Sequence, residues 1–136
     1  MINSSQNGGS DACGSSILNE VAREVARACP DLDPSSVSSY LAKWSSQYAS
    51  TFAPEEICRH FRACESLSRE TPVQVLSERG PDGTWHCSLI SHDREGIFSL
   101  FAGLLFSHGF NILSGEGFTA LRGLEAPAPT QRRRRY

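Results

Sequence analysis

A histidine or a cysteine becomes a metal ligand, a nucleophile or a base only in suitable company, so spacing decides what each can do. The chain carries five cysteines, Cys13, Cys29, Cys58, Cys64 and Cys87. An odd number excludes complete internal pairing, and no two of them show the Cys-x-x-Cys spacing of a zinc site. Cys58 and Cys64 are the nearest pair, and five residues between them give a weak signal. Free buried or surface thiols are therefore expected. His92-Asp93 spells a pair used by metal-dependent hydrolases, yet no histidine precedes it at metal spacing. His60 and His108 read as ordinary helix residues, with His108 favourably placed against a helix C-terminus. Trp85, Phe98, Phe101 and Phe106 read as core and interface aromatics rather than the lining of a cofactor site. No catalytic group, metal or cofactor follows from these residues.

Charge narrows the partners further. The formal net charge is -2, and removing the four arginines Arg132–Arg135 leaves -6 on residues 1–131. An acidic body with a short basic tail is not the footprint of a nucleic-acid-binding domain, so no specific nucleic-acid partner is expected. The longest apolar run, Ile97 to Phe106, is broken by Ser99 and Gly103. It falls well short of the roughly 18 residues that suggest a membrane span. Met1 to Gly14 lacks the basic start and apolar stretch of a secretory signal, which points to a cytoplasmic location.

The elements that would position any site follow from periodicity. Residues 1–14 are rich in Ser, Asn and Gly and read as a disordered tail. Residues 15–70 read as a helical segment. Its first helix carries Ile17, Leu18, Val21, Val25 and Ala28 behind a cap at Ser15 or Ser16, and stops at Cys29-Pro30. Asp33 with Pro34 opens a second helix whose stripe runs Val37, Tyr40, Leu41, Trp44, Tyr48. Ala53-Pro54-Glu55-Glu56 opens a third, with Ile57, Phe61, Cys64 and Leu67 on its inner side. From Thr71 the period changes. Residues 72–79 and 85–90 alternate as strands around Gly80-Pro81-Asp82-Gly83, a β-hairpin signal. A helix with apolar residues nearly all round follows from Ile97 to about Ser107, so heavy burial is expected. Gly109 ends it. Phe110 to Thr119 reads as a further strand, and residues 120–136 as a disordered Pro/Arg-rich tail.

The order of strand, Asp-Arg-x-Gly loop, apolar helix, glycine, Asn-Ile and strand resembles the first β-α-β unit of ACT domains. The resemblance rests on Ser91-His92-Asp93-Arg94-Glu95-Gly96-Ile97-Phe98, Gly109-Phe110-Asn111-Ile112-Leu113 and Phe118-Thr119. More narrowly, the chain is similar to the ACT region of the bifunctional PII uridylyltransferase/uridylyl-removing enzymes, glutamine sensors of bacterial nitrogen control. That likeness extends upstream to Tyr48, Phe52-Ala53-Pro54-Glu55-Glu56-Ile57 and Arg59-His60. It implies a small-molecule site where the strand passes into the helix, at Asp93, Arg94, Gly96, Ile97, Asn111 and Ile112. Gly96 would let the backbone approach a ligand. The first N–H groups of the helix would receive a carboxylate, Asp93 an ammonium, and Asn111 would offer both donor and acceptor. Glu95 stands where the family usually has proline.

A complete ACT domain is βαββαβ, and residues 71–119 supply only its first β-α-β and a leading strand. The expected fold class is therefore α+β, a helical segment followed by a partial ferredoxin-like ACT unit. The catalytic motifs of the uridylyltransferase and hydrolase regions do not occur. The expected role is a non-catalytic regulatory module that senses a glutamine-like amino acid or pairs domains, self-associating or meeting a partner chain through a sheet edge. The other reading is a protein–protein interaction remnant of a truncated or split enzyme, without a ligand site.

Overall fold

The computed structural model describes residues 10–120. Its elements are α1 (Ser10–Ala28), α2 (Pro34–Leu41), α3 (Ser46–Thr51), α4 (Pro54–Glu65), β1 (Val73–Arg79), β2 (Trp85–Ser91) and α5 (Ile97–Ser107). The α+β class is as expected, with helices leading into an antiparallel two-stranded sheet. The remainder of the two tails, residues 1–9 and 121–136, lies outside the described residues.

The start signals act through identifiable bonds. Asp33 is extended, and its carboxylate accepts from the Ser36 N–H at 2.9 Å, satisfying one of the donors left over at a helix start. Pro34 fills the first turn, where its missing N–H leaves no acceptor wanting. Ala53 has no capping oxygen of its own, but the Glu56 carboxylate reaches back to its N–H at 3.0 Å. Two expectations about the helices change. α1 begins at Ser10, so residues 10–14 are helical rather than tail, and Ser15 and Ser16 lie inside the helix instead of capping it. The apolar stripe from Val37 to Tyr48 is divided between two helices. α2 ends at Leu41, and Ser45 caps α3 by accepting from the Tyr48 N–H at 3.3 Å. A serine hydroxyl competes well for backbone partners, so Ser45 restarts the chain where a continuous helix would have run on.

These four helices enclose one core. Val25, Val37, Leu41, Ile57 and Cys58 are each no more than 1% exposed, and Cys29, Tyr40, Tyr48 and Phe61 complete the cluster. Burial of such side chains contributes about 1.5–3 kcal/mol each, which short helices need because none is stable in isolation. Cys29, at the end of α1, and Cys58, on α4, are joined by a disulfide, with Cα atoms 6.6 Å apart. This corrects the expectation that all cysteines are free thiols. The pairing is set by helix packing across 29 residues of sequence, a separation that spacing motifs do not report. Cys13, Cys64 and Cys87 remain unpaired. At the surface Arg62 grips Asp31 with contacts of 2.8 and 3.0 Å and holds its carboxyl below the usual range.

The hairpin forms as its turn residues direct. Val73 pairs with Ser91 and Arg79 with Trp85. The turn closes with the Gly80 N–H donating to Thr84 at 2.8 Å, and Gly83 takes a φ of 85°, natural only to glycine. Cross-strand pairing puts Val75, Leu89 and Trp85 on one face, with Val75 and Trp85 more than half exposed. The opposite face bears Glu78, which Arg59 of α4 meets at 3.1 Å. This exposed ion pair contributes little, about 0–1 kcal/mol.

α5 matches its expected bounds but not its expected burial. None of its residues is buried, because nothing among the described residues lies across most of its surface. It ends in a Schellman turn, in which the Gly109 N–H donates to Phe106 and the Phe110 N–H to Leu105, both at 3.0 Å. The strand expected over 110–119 does not form, so the β-α-β unit lacks its closing strand. Ser114, Gly115 and Gly117 are poor strand formers, and Phe118 is drawn away onto the helical core.

The bridge between Cys29 and Cys58 should matter to stability. By loop-closure entropy a cross-link of this span contributes about 3–4 kcal/mol. Equilibrium urea unfolding with and without reductant should show that difference, and equal midpoints would mean the bridge closes no loop that unfolding opens.

Candidate functional site

The loop from β2 to α5 holds three of the six expected ligand-binding residues, Asp93, Arg94 and Gly96, and a fourth, Ile97, opens α5. Gly96 sits immediately before the helix with φ 78° and is its N-cap, a left-handed conformation that other residues rarely take. No atom would meet a Cβ there within 4 Å, so the space above Gly96 is open. The Ile97 N–H is taken by the Arg94 carbonyl at 3.2 Å and the Leu100 N–H by Gly96 at 2.9 Å. The N–H groups of Phe98 and Ser99 find no acceptor among the described residues. A carboxylate arriving at this turn would meet those two donors and the positive end of the helix.

Asp93, Arg94 and Asn111 are exposed and form no side-chain hydrogen bond or ion pair among the described residues, and Ile112 is 47% exposed. Asn111 and Ile112 fall in the irregular segment after α5, and without a closing strand nothing fixes them across from Asp93. His92 is half-buried, and its Nδ1 is shielded from solvent with no hydrogen-bond partner among the described residues. Elsewhere, a groove of about 170 Å³ between α1 and α2 is lined by Leu18, Asn19, Ala22, Ser38 and Leu41. It includes none of the six expected residues and is smaller than the roughly 300 Å³ at which ligand pockets usually begin. Among the described residues no three His, Cys, Asp or Glu side chains group as metal ligands.

The most organised polar cluster lies elsewhere, inside the helical core. The Tyr40 and Tyr48 hydroxyls are 3.0 Å apart, and the Tyr48 hydroxyl is 3.0 Å from His60 Nδ1. The Cys64 sulfur stands 3.9 Å from the Tyr40 hydroxyl. Tyr40 donating to Tyr48, and Tyr48 donating to a neutral His60, uses each hydroxyl proton once. Trp44 stacks on Tyr48 at 4.6 Å, while Phe52 and Phe118 close over the same ring at 5.2 and 5.6 Å. Burial pushes both tyrosines well above their ordinary range and raises the Cys64 thiol. None of these three ionises near neutrality, so the cluster offers neither phenolate nor thiolate for catalysis. It specifies how the helices meet. Sequence reading treated His60 as an ordinary helix residue. The available signal was its position on the face of α4 shared with Ile57 and Phe61, where a polar side chain needs a partner.

His60 makes this core sensitive to pH. Burial holds its pKa below the ordinary 6.5, and the Arg59 charge acts in the same direction while Glu56 opposes it. The unfolded chain therefore takes up this proton first on acidification. The His60 contribution is complete above about pH 6.5 and is lost as pH falls through and below that value. Urea midpoints between pH 8 and pH 5 should fall with acid, and His60→Gln should flatten the dependence in that window. Parallel curves for the two proteins would exclude His60 as the source. Compared with models of known protein families, with curated proteins and with solved structures, the chain shows no match.

Proposed function

We propose that the chain is a non-catalytic regulatory module of the ACT type, related to the ACT region of PII uridylyltransferases, and that it works chiefly by pairing. The observation that supports this most is the passage of β2 through residues 92–96 into α5. It combines a left-handed Gly96, two first-turn N–H groups without acceptors and a helix with no buried residue. The first two features suit a carboxylate-bearing amino acid such as glutamine. The third suits a surface awaiting another chain, and it is the stronger, because Asp93 and Asn111 are exposed and no hydrogen bond or ion pair among the described residues holds their side chains. The same observations support the second reading, an interaction remnant of a larger enzyme without a ligand site.

Among the described residues no helix is long and apolar enough to cross a membrane. A cytoplasmic setting is part of the proposal.

Two measurements test it. Glutamine should shift the backbone amide resonances of residues 93–98 and Asn111, with affinity no tighter than about millimolar, roughly -4 kcal/mol, since the site is open and Glu95 adds like charge. Absence of loop shifts at tens of millimolar would leave pairing without sensing. Incubation with PII protein, UTP and magnesium should leave PII unmodified, and turnover above a protein-free control would overturn the non-catalytic reading.

A further inference from the structure

α5 has two unlike sides. Ile97, Phe101, Ala102 and Leu105 occupy one arc and are half-buried. On the opposite arc Ser99, Gly103 and Ser107 follow one another at intervals of four, all exposed, in a single line of small residues. Phe106, exposed by 79%, borders that line on one side, and Leu100 and Leu104, exposed by 61% and 51%, on the other, while Phe98 falls at the angle of the inner arc between Leu105 and Ala102. The outer surface of α5 is thus a shallow channel between two apolar ridges.

Its size and its lack of charge say what covers it. At about 200 Å² for a fully exposed large apolar residue, these three bordering side chains show roughly 380 Å². Phe110, Ile112 and Leu113, exposed by 49%, 47% and 75%, extend the apolar surface beyond the helix. The six together present roughly 720 Å², above the patch of 300–600 Å² usual on a monomer and approaching the 800 Å² that each partner of a standard interface buries. From Ile97 to Gly115 there is no Asp, Glu, Lys or Arg. An anionic membrane surface would find none of the basic residues that hold interfacial helices. A charged protein partner would have its charges stripped of water with nothing opposite. A second copy of this chain brings an equally uncharged surface and the same channel, and a two-fold axis lets each ridge enter the other's channel.

We propose that the outer face of α5 pairs with α5 of a second copy of this chain, Gly103 facing its equivalent where the two helices cross. This rests on the pairing reading above and names both its partner and its surface. Association through the sheet edge is a separate arrangement that the same experiment tells apart.

The experiment is sedimentation velocity of the full chain from about 1 to 100 µM, with helical content followed by circular dichroism. The wild type should sediment as a dimer. Leu104→Glu with Phe106→Glu should give a monomer of unchanged helical content. Gly103→Leu keeps the face apolar and favours helix, so the fold is retained, yet it fills the channel and should weaken dimerisation at least tenfold. Val75→Lys, on the sheet, should leave the dimer intact. A dimer lost with Val75→Lys but kept in the α5 variants would overturn this surface while leaving the pairing reading standing. A monomeric wild type at 100 µM would overturn both. Undiminished association in Gly103→Leu would show unspecific apolar sticking and overturn the proposed crossing. Binding of a monomeric wild type to phosphatidylcholine vesicles would assign α5 to a lipid surface instead.

Discussion

The ordered helical half of this chain depends on α1. It packs on α2, α3 and α4 alike, and its fully buried Val25 lies in one cluster with Val37 and Leu41 of α2, Tyr48 of α3 and Ile57, Cys58 and Phe61 of α4. A six-residue helix such as α3 has too few internal hydrogen bonds to form unaided. It forms here because Tyr48 inserts between Tyr40 and His60. Within the interface Tyr40, Tyr48 and His60 satisfy one another, whereas the neighbouring Trp44 Nε1 is buried with no hydrogen-bond partner among the described residues. The disulfide falls in the same layer and ties the end of α1 to α4.

The second half of the chain has no equivalent. The hairpin is held by its own ladder and by turn chemistry, α5 by its backbone bonds and its Schellman turn. Neither encloses apolar side chains to any depth, and Val75, Trp85, Phe98 and Phe106 stay largely in water. One part of the molecule is complete in its packing and the other is not. That contrast is what makes an interaction surface a better account of the second part than a closed binding pocket.

Local signals were the legible ones. Asp33-Pro34, Ala53-Pro54-Glu55-Glu56, Gly80-Pro81-Asp82-Gly83 and Gly109 each act over three or four residues, and each forms the cap or turn its residue types imply. The break after Leu41 was less visible, because the stripe from Val37 to Tyr48 keeps helical period across it and Ser45 alone interrupts. The Cys29–Cys58 bond and the Tyr40–Tyr48–His60 chain were not legible at all. Both depend on how α1, α2, α3 and α4 meet, and no short window contains that information. The strand expected over 110–119 failed for a related reason. Alternation in Phe110, Ile112 and Phe118 describes a capacity to pair, whereas Phe118 found burial against Tyr48 and Phe52 instead. For the candidate site, the left-handed Gly96 and the open helix start were readable, but the irregular path of the segment that carries Asn111 was not.

The docking of Phe118 has a mechanical consequence. The chain leaves the helical core after Glu65, travels out through the hairpin and α5, and comes back to the core at Phe118, which rests on rings of α3 and the α3–α4 junction. A pull applied between Ser10 and Ala120 would thus pass through the core and the contacts of Phe118 with Tyr48 and Phe52, with the hairpin and α5 outside the load path. They would feel tension only after Phe118 had let go. The contacts act as a weak latch, shielding the least well-packed part of the molecule until a modest force has been spent.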